Sequence, residues 1–265
     1  MLDTILCGDC LRLMRDIPDH SIDLVLCDLP YGTTRNKWDS PIPLDALWVE
    51  YRRIIRPRGA IVLFAQIPFS ITLGASNLPW LKYEWIWQKE QGTGHLNSGF
   101  CPMKNHENIL VFSPAAAAQV RRTPEAAMIY HPQYRTGRAY KCQHGNVHSQ
   151  NYDAKNCHDV LTTNDGQHYQ PLTVLRYAHD RAKVRGKGHA TQKPVALLRY
   201  IIRTYTDPGM TVLDNCMGSG STIEAAIREH RHYIGMELDP AIFAAAQERI
   251  NAVLSDVQDE LEIPE

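Results

Sequence analysis

The stretch from Thr211 to Glu237 limits the fold more than any other part of this 265-residue chain. Thr211-Val212-Leu213 is a short apolar run, and it meets Asp214-Asn215-Cys216-Met217-Gly218-Ser219-Gly220-Ser221-Thr222, a glycine-rich turn. Ile223, Ala225, Ala226 and Ile227 then recur at near-helical spacing, which predicts a helix with His230 and Arg231 in its last turn. Tyr233, Ile234, Gly235 and Met236 form a second apolar run that ends on Glu237. Strand, tight glycine turn, helix and strand make a βαβ unit, which needs a parallel sheet covered by helices. Glycines let the backbone turn sharply and let a ligand approach closely, and the amides at a helix start favour an anion. In an open parallel sheet Glu237 stands beside the glycine turn, where a carboxylate can hold both hydroxyls of a ribose. The spacing Gly-Ser-Gly-Ser-Thr lacks the third glycine of a pyrophosphate fingerprint, so a nucleoside fits better than a dinucleotide.

A second apolar run, Ile22, Leu24, Val25 and Leu26, ends on Asp28-Leu29-Pro30-Tyr31. A strand ending in Asp and Pro is usually an ordinary turn. Here a carboxylate, a proline and an aromatic ring lie together at a buried strand end, which suits chemistry on a planar amine. Asp28 and the Pro30 carbonyl can accept its N–H groups while the Tyr31 ring stacks on the attached base.

The two motifs together resemble the S-adenosylmethionine-dependent amino methyltransferases of DNA, which carry a glycine-rich cofactor loop and an Asp-Pro-Pro-Tyr-like tetrapeptide. The tetrapeptide precedes the loop by most of the chain, an order similar to the circularly permuted β-class of that family. Other segments match in order. Gly8-Asp9-Cys10 resembles its adenine-contacting acidic motif, and His189-Ala190-Thr191-Gln192-Lys193-Pro194 its Thr-Gln-Lys-Pro segment. Trp85-Ile86-Trp87-Gln88-Lys89 and His106-Glu107-Asn108-Ile109-Leu110-Val111-Phe112 resemble its later strands. The likeness covers residues 1 to about 114 and 189 to about 250. Leu29 stands where the family usually has proline, and Asn215-Cys216 where Pro-Phe is common.

The resemblance implies a Rossmann-like α/β sheet, mostly parallel with one antiparallel strand, circularly permuted and carrying an inserted target-recognition region. It implies three segments: 1–114 with the target-amine motif, 115–188 as the DNA-binding insertion, and 189–265 with the cofactor site. It implies S-adenosylmethionine as cofactor, double-stranded DNA as partner, a flipped target base and a homodimer. By resemblance Asp28, Pro30 and Tyr31 are catalytic. Asp9 and Cys10 lie at the cofactor adenine, Glu237 at its ribose, Thr191 and Lys193 at its methionine carboxylate. Asp214, Gly218, Ser219, Gly220 and Thr222 lie at its amino-acid end, with Asp28 close by. Adenine N6 is the expected target. Methylation of cytosine N4 on the same scaffold stays open, although that branch more often carries serine in place of Asp28. A protein-glutamine enzyme would begin its tetrapeptide with asparagine, and a silent DNA-binding regulator would not need Asp28, Tyr31, Gly218, Gly220 and Glu237 intact.

Composition bears on the partner. The chain carries a net charge of −1, yet residues 115–188 hold eleven Lys and Arg against five Asp and Glu. Arg121, Arg122, Arg135, Arg138, Lys141, Arg181, Lys183 and Arg185 alternate there with tyrosines and histidines, a pattern suited to phosphates and base edges. Glycine-rich residues 91–99 read as a surface loop, either a plain connection or a lid over the target pocket. The seven cysteines are scattered and odd in number, which fits reduced thiols. Cys142, His144, His148 and Cys157 match no common zinc spacing, so no metal is expected. Without an apolar span or a signal-like start, the expected location is the cytoplasm. The remaining elements are predicted as a strand over 4–6, a helix over 11–17, a helix over 45–55 ended by Pro57-Arg58-Gly59, a strand over 60–64, and strands over 83–88 and 108–113.

Overall fold

A computed structural model of the chain describes residues 2–32, 40–116, 124–144, 160–178 and 192–262. They fall into two compact units, Met1–His131 with Thr173–Glu265, and Pro132–Leu172. The smaller unit lies inside the segment expected as the insertion.

The larger unit is built on an eight-stranded sheet in the order β1-β10-β9-β2-β3-β5-β4-β8. Its strands are β1 (Thr4–Cys7), β2 (Ile22–Asp28), β3 (Ile55–Ala65), β4 (Leu81–Thr93), β5 (Lys104–Phe112), β8 (Val174–Arg176), β9 (Thr211–Asp214) and β10 (His232–Glu237). Strand β5 alone runs antiparallel, pairing with β3 on one side and β4 on the other, while the other pairs of this sheet are parallel. The mostly parallel sheet with one antiparallel strand is the fold class expected from the sequence.

Strand β2 sits near the middle and is buried on both faces, which is why Leu24 to Cys27 read as an unbroken apolar run rather than an alternation. Leu24 and Leu26 face a core shared with α4 (Val195–Tyr205), α5 (Ser221–Arg228) and α6 (Pro240–Glu262). Val25 and Cys27 face the opposite core, shared with α1 (Cys10–Leu13), α2 (Leu44–Ile54) and α3 (Phe69–Ser76). The result is three layers, helices on each side of the sheet.

Three local expectations change. The helix expected over 45–55 ends at Ile54, and Pro57-Arg58-Gly59 lies within β3 instead of terminating a helix. Ile22 pairs with Ile55, but Leu24 pairs with Ala60, so these residues bulge out of register. A Cβ on Gly59 would lie 2.8 Å from the Asp23 carbonyl oxygen, so the bulge needs glycine there. Helix α5 ends at Arg228, before His230 and Arg231. His230 adopts φ 57°, and the Arg231 guanidinium donates to the Thr206 carbonyl at 2.7 Å, which breaks the helical path. Finally, β4 runs on to Thr93, so the first three residues of the expected 91–99 loop are strand. Gly94 at φ 95° ends it, and Leu96 and Phe100 stand almost wholly exposed beyond.

The smaller unit is a hairpin of β6 (Tyr140–His144) and β7 (Val160–Asn164). Its base is closed by backbone hydrogen bonds in both directions between Arg135 and Tyr169, at 2.9 and 3.0 Å, and by Gly137 N–H to the Gly166 carbonyl at 2.8 Å.

Candidate active site

Strands β1, β10, β9, β2 and β3 are parallel, so their carboxyl ends share one edge of the sheet. Antiparallel β5 enters the sheet from that edge, because Asn108, midway along it, pairs with Ala65 at the end of β3. The chain winds away in two directions from the central β9–β2 pair, and a ligand crevice belongs outside the strand ends at such a point. Asp214 ends β9 and Asp28 ends β2.

On the β9 side the glycine turn is held in place from below. Met217 N–H donates to the Met236 carbonyl at 2.9 Å, and a Cβ on Gly235 would lie 2.5 Å from the Met217 sulfur. Gly220 adopts φ 77° at the start of α5. Glu237 accepts from Gly218 N–H at 3.0 Å and from Asp239 N–H at 2.9 Å, so the carboxylate does lie beside the turn. Asp9 follows β1, whose Cys7 is paired with Glu237, and its carboxylate caps α1 by accepting from Arg12 N–H at 2.9 Å. Asn215 replaces the family's usual proline with two anchors: it accepts from the Tyr51 hydroxyl at 2.6 Å, and its amide lies 3.7 Å from the Cys10 sulfur. Ser219 accepts from Arg249 at 3.3 Å.

Asp214 is buried, and it accepts from Cys216 N–H at 3.1 Å and from the Thr222 hydroxyl. Burial outweighs these hydrogen bonds and pushes its carboxyl up to about 6. An acid raised in this way favours the folded state below its ordinary value, and that contribution is lost as pH rises through about 6. The resemblance noted above seats the amino group of S-adenosylmethionine on this carboxylate once it is ionised. Asp214→Asn is therefore expected to melt at or above wild type at pH 7.5 without cofactor, and to lose most of the rise in Tm that S-adenosylmethionine produces. For wild type the rise should shrink as pH falls below about 6. Differential scanning fluorimetry across pH reads both effects.

On the β2 side both oxygens of Asp28 are engaged. The Tyr31 hydroxyl donates to Oδ1 at 2.7 Å, and the Lys193 ammonium donates to Oδ2. Tyr31 lies on Phe69 with ring centroids 5.2 Å apart. Burial first, then Asp28 and Glu107, holds its phenol well above the ordinary value, so it stays a donor. Leu29 is buried against the core beside α1–α3, so the family's missing proline costs no polar contact.

Lys193 sits just before α4, above Phe64, with Glu107 Oε2 at 3.4 Å on its other side. Glu107 also pairs with Lys89 at 2.5 Å and accepts from Gln66 at 3.1 Å. Lys89, Glu107 and Lys193 are all buried. Burial works against the charge on Lys193, but Asp28 and Glu107 together outweigh it and raise the ammonium above its ordinary value. Burial likewise opposes the charge on Glu107, and Lys193 and Lys89 hold it below the usual carboxylate range.

The structure thus gathers Asp9, Cys10, Glu237, Gly218, Ser219, Gly220, Asp214 and Thr222 on one side of the crevice, and Asp28, Pro30, Tyr31 and Lys193 at the β2 end. It sets Lys193 on Asp28, whereas the resemblance placed it at a cofactor carboxylate. Gln66, Lys89 and Glu107 carried no role in the sequence reading; Lys89 and Glu107 were visible only as charges in apolar strands. Arg135, Arg138 and Lys141 are exposed in the smaller unit. Thr191, Arg121, Arg122, Arg181, Lys183 and Arg185 lie outside the described residues, as do the side chains of Cys142, His144, His148 and Cys157. Among the described residues no helix is long and apolar enough to cross a membrane.

The site is thus a doubly covered, mostly parallel sheet with a glycine turn after β9 and the carboxylates Glu237, Asp214 and Asp28 at the ends of β10, β9 and β2. The sequence profile of a DNA methylase family, the N6 and N4 methyltransferases, matches residues 22–248, and the chain belongs to that family. Its cofactor is S-adenosylmethionine. The DNA adenine methyltransferase YhdJ of Escherichia coli strain K12 is 27% identical over 256 residues, covering 89% of this chain and 78% of that protein. Among solved structures, the M1.HpyAVI complex with S-adenosylmethionine superposes with a TM-score of 0.58 at 20% identity, covering 93% of this chain and 98% of its own. PvuII DNA methyltransferase, described as cytosine-N4-specific, reaches 0.66 at 15% identity, covering 98% and 93%.

Proposed function

We propose that this protein methylates the exocyclic N6 amine of adenine at specific sites in double-stranded DNA. The observation that carries the reading is the Asp28 carboxylate at the end of β2, beside the Asp214 and Glu237 side of one crevice. S-adenosylmethionine supplies an electrophilic methyl on a sulfonium, and the residues here fit it: Glu237 for paired hydroxyls, Asp214 for an ammonium, and a turn whose glycines leave room for close approach. Asp9 and Cys10 are assigned to the cofactor adenine, and Thr191 with Gly218, Ser219, Gly220 and Thr222 to its amino-acid end.

An amine inside a duplex is out of reach, so the target base swings out and adds itself to the Tyr31–Phe69 stack. Asp28 and the Pro30 carbonyl accept the two amine hydrogens, draw the lone pair out of conjugation and aim it along the line of attack. Asp28 acts first by position and charge, and the proton leaves afterwards. Arg121, Arg122, Arg135, Arg138, Lys141, Arg181, Lys183 and Arg185 are assigned to DNA, in keeping with the excess of basic residues over 115–188. The hairpin tip with Leu96 and Phe100 extends from the same sheet edge as Asp28, which supports a DNA-facing role for that edge.

Adenine is favoured by Asp28, since serine is commoner at that position in the cytosine branch, and by the adenine activity in the name of the 27% identical relative. The order of the motifs supports the circularly permuted β-class. A homodimer completes the proposal, and light scattering that returns only the 30.1 kDa chain mass would remove it. The deciding experiment incubates the protein with labelled cofactor and random-sequence DNA, digests the product to nucleosides and separates them by mass spectrometry. N6-methyladenine should dominate. A majority of N4-methylcytosine rejects adenine and keeps the family, while no product at all favours a silent DNA-binding protein.

A further inference from the structure

The half-buried Asp28, with the buried Lys193, Glu107 and Lys89 behind it, presents a difficulty for the reaction just proposed, on which this inference rests. Both oxygens of Asp28 already accept a donor, Tyr31 on Oδ1 and Lys193 on Oδ2. Each oxygen keeps a second lone pair, so an incoming amine has to share the carboxylate with the Lys193 ammonium. As the new N–C bond forms, the amine nitrogen also turns cationic, and an ammonium left against the same carboxylate would oppose it.

The same quartet offers a way out. Glu107 Oε2 is buried and accepts no hydrogen bond among the described residues, although Lys193 Nζ lies only 3.4 Å away. A buried carboxylate oxygen left without a donor is costly, so such a vacancy calls for an occupant. Glu107 cannot swing off to find one, because Lys89 at 2.5 Å and Gln66 at 3.1 Å fix its other oxygen.

We propose that Lys193 is a resident stand-in for the target amine, and that Glu107 Oε2 is the berth it moves to when the flipped base takes its place on Asp28. After the move Lys193 is still paired, now with Glu107, and Asp28 faces the amine whose nitrogen turns cationic as the bond forms, so the developing charge takes the place of the one that left. Lys193 keeps Asp28 satisfied in the empty enzyme, and Glu107 draws the ammonium away from the nitrogen that becomes cationic. Both are positioning residues.

The test is a double-variant cycle on the full chain, comparing wild type, Glu107→Gln, Lys193→Gln and the pair. Each is measured for single-turnover methyl transfer at saturating DNA and cofactor, for S-adenosylmethionine Kd and for Tm. Glu107→Gln traps Lys193 on Asp28, and its rate should fall by roughly thirtyfold, the size of one charge-assisted hydrogen bond, with cofactor Kd within about threefold. Adding Lys193→Gln removes the competitor and should recover roughly tenfold of that loss. Losses that simply multiply in the pair would overturn the proposal, as would a cofactor Kd that rises more than about tenfold in Lys193→Gln, which would place the lysine on the cofactor. If Glu107→Gln does not fold, Glu107→Asp takes its place: a smaller loss with the same rescue is expected, and a loss without rescue overturns it. Wild type that methylates neither base amine in this series removes the underlying function and not the lysine's part in it.

Discussion

Asp28→Ala is expected to lower single-turnover methyl transfer by on the order of 10³-fold, the effect of deleting a preorganised group that stabilises developing charge. The reason is specific to this site. Asp28 is the carboxylate at the end of β2 that faces the crevice, and the Pro30 carbonyl alone cannot both anchor the amine and balance its growing positive charge. The fold should survive, because Lys193 would still have Glu107 within reach and Tyr31 would still rest on Phe69. DNA binding should persist as well, since the basic residues assigned to phosphates lie elsewhere in the sequence. Asp28→Asn keeps an acceptor but loses the charge, and it should fall between the two. A quench-flow assay with labelled cofactor gives the rates, and Asp28→Ala within tenfold of wild type would take this carboxylate out of the chemistry.

Glu237→Ala is expected to weaken S-adenosylmethionine by roughly a hundredfold, from the loss of two charge-assisted hydrogen bonds to ribose hydroxyls at about 1.5–3 kcal/mol each, partly offset by water. The same change leaves Gly218 N–H without the acceptor it has at 3.0 Å, so the turn loosens as well. Glu237→Gln separates the two effects, because an amide oxygen can still hold Gly218 while it accepts only one hydroxyl well. The alanine variant should therefore bind more weakly than the glutamine variant, with DNA affinity unchanged in both. Isothermal titration gives the cofactor Kd, and equal wild-type affinity in both variants would move the ribose away from β10.

The sequence revealed those parts of the fold where one segment carries its own signal. The runs feeding Asp28, Asp214 and Glu237 are apolar because their strands are buried on both faces, and each ends where polarity returns. The bulge at Pro57-Arg58-Gly59 was hidden because proline and glycine after a helix look like a stop, and only pairing with β2 shows that the strand has already begun. Strand β8 was hidden for a similar reason: three residues within a basic segment have no periodicity, and they become a strand only beside Ile86, Trp87 and Gln88. The site divided the same way. Asp28 and Glu237 could be named from turn chemistry, whereas Glu107 and Lys89 gain meaning only from a contact that joins residues far apart in sequence. The contact of Lys193 with Asp28 likewise needs the tertiary structure, because nothing around Pro194 points to a residue 165 positions away.

The central pairing of β9 with β2 also governs how the protein comes into being. On the ribosome, Asp28 emerges early, but the strand edge beside it stays open until residues 211–214 follow nearly two hundred positions later. Strand β1 waits longer still, since its partner β10 is made after β9. The nascent chain therefore carries an unpaired, largely apolar strand edge through most of its synthesis, a site for chaperone capture or for mispairing between neighbouring chains. It also means that the side of the crevice proposed to hold the methyl donor is completed last, when β9 and β10 join strands made long before them.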